Sequence, residues 1–269
     1  MREFIKSILR FLGLLPFCKS CRDGMWRWGR IMKARKEGIT DSYPTPSAEL
    51  IHLIVCNEDP YEYYKTGFLG KENILSALNG AGIPETDVQN VLDFGCGCGR
   101  VLRRLDGMPW KMFGTDYNPK LTQFCTAAYP FALIGTNQLM PPTQYENEQF
   151  DLVYQFSVFT HLMPENQKLW LDEFRRIIRP GKYLIFSTQG EFFMKNRRDY
   201  ITDEMIQKLE ENGILTVHSD VEGSNTAGTF QTRAFTENLL GDDWKILYYK
   251  EGGSTVTGFQ DLYLVQRIR

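Results

Sequence analysis

Two periodicities alternate along the chain from residue 90 onward. Short apolar runs suit buried strands, and the longer stretches between them repeat apolar residues every three or four positions, as helices do. Strand followed by helix, repeated, predicts a parallel sheet with helices on both faces. The predicted strands lie at residues 91–94, 112–115, 131–134, 152–155 and 183–187, and the predicted helices at residues 100–105, 119–128 and 164–178.

The pattern changes on either side of this region. Two further strands, at residues 245–249 and 261–265, are separated by a glycine-rich turn and predict a hairpin at the end of the sheet. Residues 48–55 and 71–79 suit short helices. We interpret residues 189–231 as irregular and expect this segment to contribute Phe192, Phe193 and Tyr200 to a ligand pocket, because loops at a sheet edge carry specificity.

The N-terminal segment has a different character. Residues 1–15 place apolar residues on one side and basic residues on the other, which predicts an amphipathic helix. Residues 1–36 hold ten basic and two acidic residues, a net charge of +8, whereas the remainder holds 21 and 31, a net charge of −10. This segment either covers the main domain or touches an anionic membrane surface. We therefore predict an extension over residues 1–45 and a catalytic domain over residues 46–269.

Composition excludes several classes of protein. With 269 residues, 42% hydrophobic and 24% charged, the chain suits a folded domain rather than a disordered or coiled-coil protein. We find no apolar run long enough for a membrane span. Six scattered cysteines suit reduced thiols in a cytoplasmic protein, and Cys18 and Cys21 have no second ligand pair, so we expect no metal site.

An acidic residue and three glycines follow the first predicted strand. The segment VLDFGCGCGR, residues 91–100, places Asp93 ahead of Gly95, Gly97 and Gly99. Glycine permits a tight turn between strand and helix and lets a ligand approach the backbone. The dinucleotide pattern G-x-G-x-x-G does not fit, because neither of the first two glycines has a glycine in the sixth place. A nicotinamide-binding enzyme is accordingly disfavoured.

The pattern D-x-G-x-G-x-G instead resembles the class I S-adenosylmethionine-dependent methyltransferases. The segment FGTDYNP, residues 113–119, is similar to the second motif of that family, whose acidic residue binds the ribose hydroxyls, here Asp116. The resemblance implies an α/β, Rossmann-like fold, with a mainly parallel seven-stranded sheet whose last strand is antiparallel. The similarity continues, in the family's order, through four further segments, at residues 135–142, 150–162, 175–181 and 258–265.

The resemblance also implies which residues hold the cofactor, S-adenosylmethionine. We expect Asn137 and Gln138 at the adenine edge, and Asp93 bound to loop amides or to the donor's ammonium group. Cys96 and Cys98 would pack as small residues beside the ligand, so that thiol alkylation inhibits and bound cofactor protects. The predicted cofactor-binding residues are Asp93, Gly95, Cys96, Gly97, Gly99, Asp116, Tyr117, Asn137, Gln138 and Gln155.

The candidate catalytic residue is His161, which follows the fourth strand at the edge where open α/β sheets bind ligands. It is either a general base for a hydroxyl acceptor or a structural brace for the next helix.

We expect O-methylation of a small molecule or saccharide. The alternatives are a non-catalytic binding module and an oxidoreductase. We expect no nucleic-acid partner, because the acidic remainder of the chain repels phosphates. The predicted location is cytoplasmic, with peripheral contact at the inner membrane surface as an option.

Overall fold

The computed structural model describes residues 15–196, 201–217 and 227–269, which form two compact units, Met1–Lys65 and Thr66–Arg269. The helix predicted over residues 1–15 lies almost wholly outside the described residues. Within the described ranges, no helix is both long and apolar enough to cross a bilayer. The helices are α1 (Leu15–Lys36), α2 (Ala48–Val55), α3 (Pro60–Gly80), α4 (Pro119–Ala128), α5 (Pro164–Ile177), α6 (Glu191–Asn196), α7 (Asp203–Asn212) and α8 (Arg233–Leu240).

Polar anchors hold α1 within the first unit. The Arg30 guanidinium forms a two-pronged ion pair with the carboxylate of Asp59, a geometry that fixes orientation as well as charge. The Tyr61 hydroxyl donates to Glu37 over 2.8 Å, and Ala34 is fully buried. The opposite side of α1 stays exposed, because Met25 is 69% and Trp28 65% accessible.

A seven-stranded sheet organises the second unit, in the order β3-β2-β1-β4-β5-β9-β8. Strands β1 to β5 are parallel, and β9 runs antiparallel between β5 and β8. The predicted sheet and its hairpin ending are confirmed. The strands are β1 (Asn90–Phe94), β2 (Lys111–Asp116), β3 (Ala132–Thr136), β4 (Phe150–Gln155), β5 (Ile178–Thr188), β6 (Ile214–Val217), β7 (Gly228–Gln231), β8 (Trp244–Ser254) and β9 (Gln260–Arg267).

The central strands β1 and β4 are buried along almost their whole length, so both faces of the sheet are covered. Phe94 meets Trp170 and Phe174 of α5, with ring centroids 4.6 and 4.9 Å apart, which covers one face. On α3, Gly67 lies so close to the Arg100 carbonyl that a Cβ would come within 2.2 Å of its oxygen. Such close packing explains a glycine in a helix interior, where it costs about 1 kcal/mol.

Two predicted helices need correction. Residues 100–105 do not form an α-helix, since only the 3₁₀ turn Leu102–Arg104 appears there. The stretch is too short for a stable helix before the turn at Gly107. The helix predicted at residues 71–79 starts much earlier, at Pro60, because the glycines that weakened the sequence signal are sites of close packing.

The interpretation of residues 189–231 as irregular is wrong. This segment contains α6, α7 and a separate two-stranded sheet of β6 and β7. Phe193, Met194, Leu209 and Phe230 form a small core of their own, so Phe193 does not face a ligand pocket. Tyr200 lies outside the described residues. The strands β6 and β7 have four residues each and α6 has six, so these elements give too few repeats for a periodic signal.

Candidate active site

The glycine loop, residues 95–99, begins where β1 ends and turns back over the neighbouring strand. The amides of Gly95 and Cys96 both donate to the Thr115 carbonyl on β2, each over 2.9 Å. All three glycines have positive φ, at 71° for Gly95, 56° for Gly97 and 75° for Gly99. Other residues adopt this region at a cost of about 1–2 kcal/mol, so the backbone itself explains the glycines.

Close packing adds a second reason at two of these positions. A Cβ at Gly95 would lie 2.5 Å from Cγ2 of Val158, and one at Gly99 would lie 2.2 Å from Cε2 of Tyr129. The Tyr129 hydroxyl also donates to the Cys98 carbonyl over 3.0 Å. Tyr129 therefore packs against the end of the glycine loop at Gly99, and Val158, which follows β4, packs against its beginning at Gly95.

Asp116 joins the glycine loop to the end of β2. Its Oδ2 accepts from the Gly97 amide and its Oδ1 from the Asn118 amide, each over 2.9 Å. Burial raises the pKa of Asp116, and the two amide hydrogen bonds oppose that rise. A carboxylate has about four acceptor positions, so each oxygen keeps one for a ligand hydroxyl. This carboxylate can therefore accept further hydrogen bonds from a ligand, and its ribose-binding role stays a prediction.

Asp93 is a buried carboxyl with one oxygen unsatisfied. Burial raises its pKa to about 7, while the Tyr154 phenol and the Arg100 charge lower it. Tyr154 stands beside it on β4, in register. Among the described residues, neither Asp93 Oδ2 nor the Tyr154 hydroxyl has a partner with hydrogen-bond geometry. A buried carboxyl whose neighbouring phenol is poorly aligned is costly to ionise, so a donor or a cation supplied by a ligand would stabilise it.

Three thiols lie around the glycine loop. Cys96, Cys98 and Cys125 are all buried, whereas Cys21 and Cys56 are exposed. The Cys125 thiol donates to the Gly97 carbonyl over 3.2 Å. Burial and the neighbouring Cys125 raise the pKa of Cys96 well above its ordinary value, so this thiol stays protonated and weakly nucleophilic. The thiols act here as small packing groups.

The predicted adenine-edge residues differ in their surroundings. Asn137 is buried, and its Oδ1 accepts from the Thr115 hydroxyl while its Nδ2 donates to the Gln138 carbonyl. Gln138 is exposed beside it, and Tyr117 is 46% accessible after β2. Asn137 therefore shapes the loop after β3, and Gln138 and Tyr117 are exposed at the same edge of the sheet.

The β4 loop, residues 156–161, is held by a ring of hydrogen bonds. Ser157 donates its amide to Ser187 Oγ, Ser187 donates to Gln260 Oε1, and Gln260 Nε2 donates back to Ser157 Oγ, over 2.9, 2.7 and 2.9 Å. Ser157 has φ 65°, which is unusual for a residue other than glycine. Gln155 closes the loop, because its Oε1 accepts from the Val158 amide, and its buried Nε2 has no partner among the described residues.

His161 ends this loop in a defined protonation state. Its Nδ1 lies 2.7 Å from the Ala227 carbonyl oxygen, which only accepts, so Nδ1 carries the proton and Nε2 offers a lone pair. Burial lowers the pKa of the imidazole, which keeps it neutral at pH 7. Gln167 of α5 donates to the carbonyls of Phe159 and Leu162 on either side. A neutral, braced imidazole suits a base.

Sequence reasoning missed several residues of this region. Tyr154, Val158 and Gln260 lie within the motif-like segments 150–162 and 258–265, but only strand register or a crossing loop shows what each contacts. Only the strand alternation on β4 could have placed Tyr154 on the same face as Asp93. Within the described ranges, no group of three or more His, Cys, Asp or Glu side chains is arranged to hold a metal ion.

The sheet order, the glycine loop and the carboxylate on β2 together define a class I methyltransferase fold. Residues 92–186 match the family described as "Methyltransferase domain". This match covers about a third of the chain and agrees with the resemblance to the class I S-adenosylmethionine-dependent methyltransferases that the motifs indicated.

One curated relative is the tRNA N(3)-methylcytidine methyltransferase of Schizosaccharomyces pombe. It is 22% identical over 175 residues, which cover 59% of this chain and 52% of the relative. The chain thus spans about half the length of that protein.

Solved structures resemble the fold. An S-adenosylmethionine-dependent methyltransferase from Mesorhizobium loti superposes with a TM-score of 0.56 at 16% identity, covering 74% of this chain and 100% of that one. The 1,6-didemethyltoxoflavin-N1-methyltransferase of Burkholderia thailandensis, solved with its substrate and S-adenosylhomocysteine, gives 0.54 at 12% identity, covering 86% and 94%. At these identities the likeness concerns the fold alone.

Proposed function

We propose that this protein transfers a methyl group from S-adenosylmethionine to an oxygen of a small molecule or saccharide. The observation that carries the proposal is the 2.9 Å hydrogen bond between Asp116 and the Gly97 amide, which sets a ribose-binding carboxylate against a glycine loop. The unsatisfied Asp93 oxygen, with its raised pKa, fits a site that binds a cationic ligand. A pyrophosphate would instead be repelled by these two carboxyls.

The chain's own residues then have separate roles. Asp116 holds the ribose, and the loops after β3 and β4 border the site at the carboxyl edge of the sheet. S-Adenosylmethionine supplies, when bound, a methyl group already activated by its sulfonium. The protein therefore has to orient the acceptor and exclude water. His161 Nε2 takes the proton of an acceptor hydroxyl, and the Ala227 carbonyl keeps Nδ1 protonated throughout.

Calorimetric titration with S-adenosylhomocysteine and with NAD tests the cofactor. We expect binding of the former only. Binding of NAD alone would favour the oxidoreductase, because the two ligands need different loops. Transfer of labelled methyl groups into a cell extract separates an enzyme from a non-catalytic module. Fractionating the labelled product into RNA, saccharide and small-molecule pools identifies the acceptor.

His161→Ala and His161→Gln test the base. We expect kcat to fall by about 10²- to 10⁴-fold in both, the range typical of a general base, with S-adenosylhomocysteine binding unchanged. Because burial lowers the imidazole pKa, wild-type kcat should hold as the pH falls to 6.5 and decline only below it. A histidine that merely braces the helix predicts instead a lower melting temperature with kcat retained at saturating acceptor.

RNA is the second acceptor candidate. The tRNA methyltransferase named above favours it, as does the basic surface of α1, where Arg35 and Lys36 are exposed beside Trp28. The net charge of −10 outside residues 1–36 opposes it, and the absence of a nucleic-acid partner stays our prediction. Label recovered in the RNA pool would contradict that prediction directly.

We further propose that α1 lets the protein associate with an anionic membrane surface. Met25, Trp28 and Met32 occur at helical spacing on the exposed side of α1. Basic residues accompany them in the last turn. Tryptophan and lysine or arginine together are typical of helices that lie in a membrane interface. In this proposal, residues 1–45 are the membrane-associating extension and residues 46–269 are the methyltransferase domain.

A further inference from the structure

An aromatic pair, Phe259 exposed and Phe192 half-buried, lies at the same edge of the sheet as the glycine loop. Strand β9 pairs antiparallel with β5, with Asp261 opposite Thr188, so β9 begins where β5 ends. Phe259 comes directly before β9, and Phe192 follows β5 by four residues. Their rings meet edge to face, with centroids 6.5 Å apart at 63°. We call Phe192 and Phe259 the aromatic platform.

Phe259 is held in a conformation that its own preferences oppose. Its φ is 69°, which makes a bulky residue a genuine outlier, and its ring is 55% exposed. Its amide donates to the Ser254 carbonyl over 3.0 Å, which fixes the turn. Neither burial nor backbone preference therefore accounts for phenylalanine here, and strained residues of this kind concentrate at ligand sites.

Phe192 is fixed by the backbone on which it rests. A Cβ at Gly252 would come within 2.7 Å of Cδ1 of Phe192, and Gly252 itself has φ 57°. The ring of Phe192 thus packs directly onto a glycine. A rigid aromatic side chain loses little conformational entropy when a ligand binds, so the platform is preorganised.

Two contacts link the platform to the donor side of the site. Gln260, next to Phe259, donates to Ser157 Oγ over 2.9 Å. Val158, next to Ser157, packs onto Gly95 of the glycine loop. The β4 loop that carries His161 therefore lies between the glycine loop and Phe259. A ligand resting on the platform would therefore lie next to the loop that carries His161.

We propose that Phe259, supported by Phe192, binds a ring of the methyl acceptor by its flat face, either an aromatic ring or the C–H face of a sugar. This inference rests on the proposed function, because it names the acceptor class of the same site. The faces of aromatic rings pack well against flat apolar surfaces, and such pairs contribute about tenfold in affinity. Acyclic acceptors do not gain this contact.

Saturation-transfer NMR in the presence of S-adenosylhomocysteine tests the platform. The probes are catechol for an aromatic ring, methyl β-glucopyranoside for a sugar ring, and mannitol as an acyclic control. We expect transfer to at least one ring probe and none to mannitol. Phe259→Ala and Phe259→Gly should weaken ring binding about tenfold, and Phe259→Tyr should retain it. Transfer to catechol or to the glucoside alone identifies which kind of ring is bound.

The pair of small variants separates binding from structure. Glycine relieves the positive φ and alanine does not, so Phe259→Gly should melt at a higher temperature than Phe259→Ala. If the ring were only structural, probe binding would recover with stability in the glycine variant. Equal loss of probe binding in both variants supports the platform.

Two outcomes overturn the platform. In one, the wild type binds S-adenosylhomocysteine but neither ring probe; in the other, both variants bind the probes as well as the wild type does. Failure of S-adenosylhomocysteine to bind the wild type is instead the failure of the proposed function, and the platform falls with it.

Discussion

At the scale of single residues, two buried carboxyls decide the electrostatics of the site. Asp116 is satisfied by two amides, whereas Asp93 keeps an oxygen without a donor among the described residues. Both pKa values are raised by burial, and each negative charge discourages the other. Ionising these carboxyls is therefore unfavourable in the free protein. A cationic ligand would lower their pKa values, and their ionisation would in turn strengthen binding of that ligand.

Asp93→Asn should change how stability depends on pH. The folded pKa of Asp93, about 7, exceeds the ordinary value of 3.8, so the folded state binds more protons between those values. Stability of the wild type therefore falls as pH rises from about 4 to about 7, and the loss, on the order of a few kcal/mol, persists above pH 7. Urea unfolding at pH 5 and pH 8 measures it.

The asparagine variant should lose less stability between pH 5 and pH 8 than the wild type does. Asp261, whose pKa burial raises to about 6, contributes in the same direction and remains in both proteins. If the free energy of unfolding changed equally with pH in the two proteins, Asp93 would already be ionised at pH 5 in the folded state, and its pKa would not be raised.

At the scale of elements, the glycine loop combines two constraints that substitutions separate. Gly99 and Gly107 have φ of 75° and 80°, but a Cβ at Gly99 meets Tyr129, whereas Gly107 has open space. Gly107→Ala should cost about 1–2 kcal/mol for the backbone alone. Gly99→Ala should cost about 1–3 kcal/mol more, because the Tyr129 ring must move. Chemical denaturation measures the free energy of unfolding of both variants. Equal decreases would mean that the Tyr129 ring moves aside without an energetic cost.

Most elements were predictable because their signals are local. The strands β1 to β5 are apolar runs, and α2 and α4 match their predicted bounds because each has a side-chain N-cap, Ser47 and Asn118 respectively. The motif residues Asp116 and Gly97 were found by spacing. Tyr154, Val158 and Phe259 lie in motif-like segments but were not singled out, since strand pairing and a left-handed turn set their surroundings and leave no periodic trace in sequence.

At the scale of the whole molecule, charge is distributed unequally between the N-terminal segment and the rest. Residues 1–36 carry +8 and residues 37–269 carry −10. An anionic surface would attract the first and repel the second, which predicts a preferred orientation at a membrane. Screening by salt weakens both effects, because the Debye length is only about 10 Å at 0.1 M.

Vesicle sedimentation checks this prediction. We expect the full chain to bind phosphatidylglycerol vesicles at low salt, to dissociate at about 0.5 M salt, and to ignore phosphatidylcholine vesicles. Trp28→Ala should weaken binding several-fold. Leu169→Ser is the matched control, since Leu169 is 46% exposed on α5 of the second unit. Equal binding of both variants would remove α1 from the interface.

The position of β9 has a consequence for how the protein is made. This strand enters between β5 and β8 although it follows both in the chain, so the edge of β5 stays unpaired while about 70 later residues are synthesised. An open strand edge is a template for pairing with other chains. Ribosome-bound intermediates ending before residue 260 should therefore be prone to aggregate. They should also lack activity, because Gln260 has not yet locked the β4 loop into place.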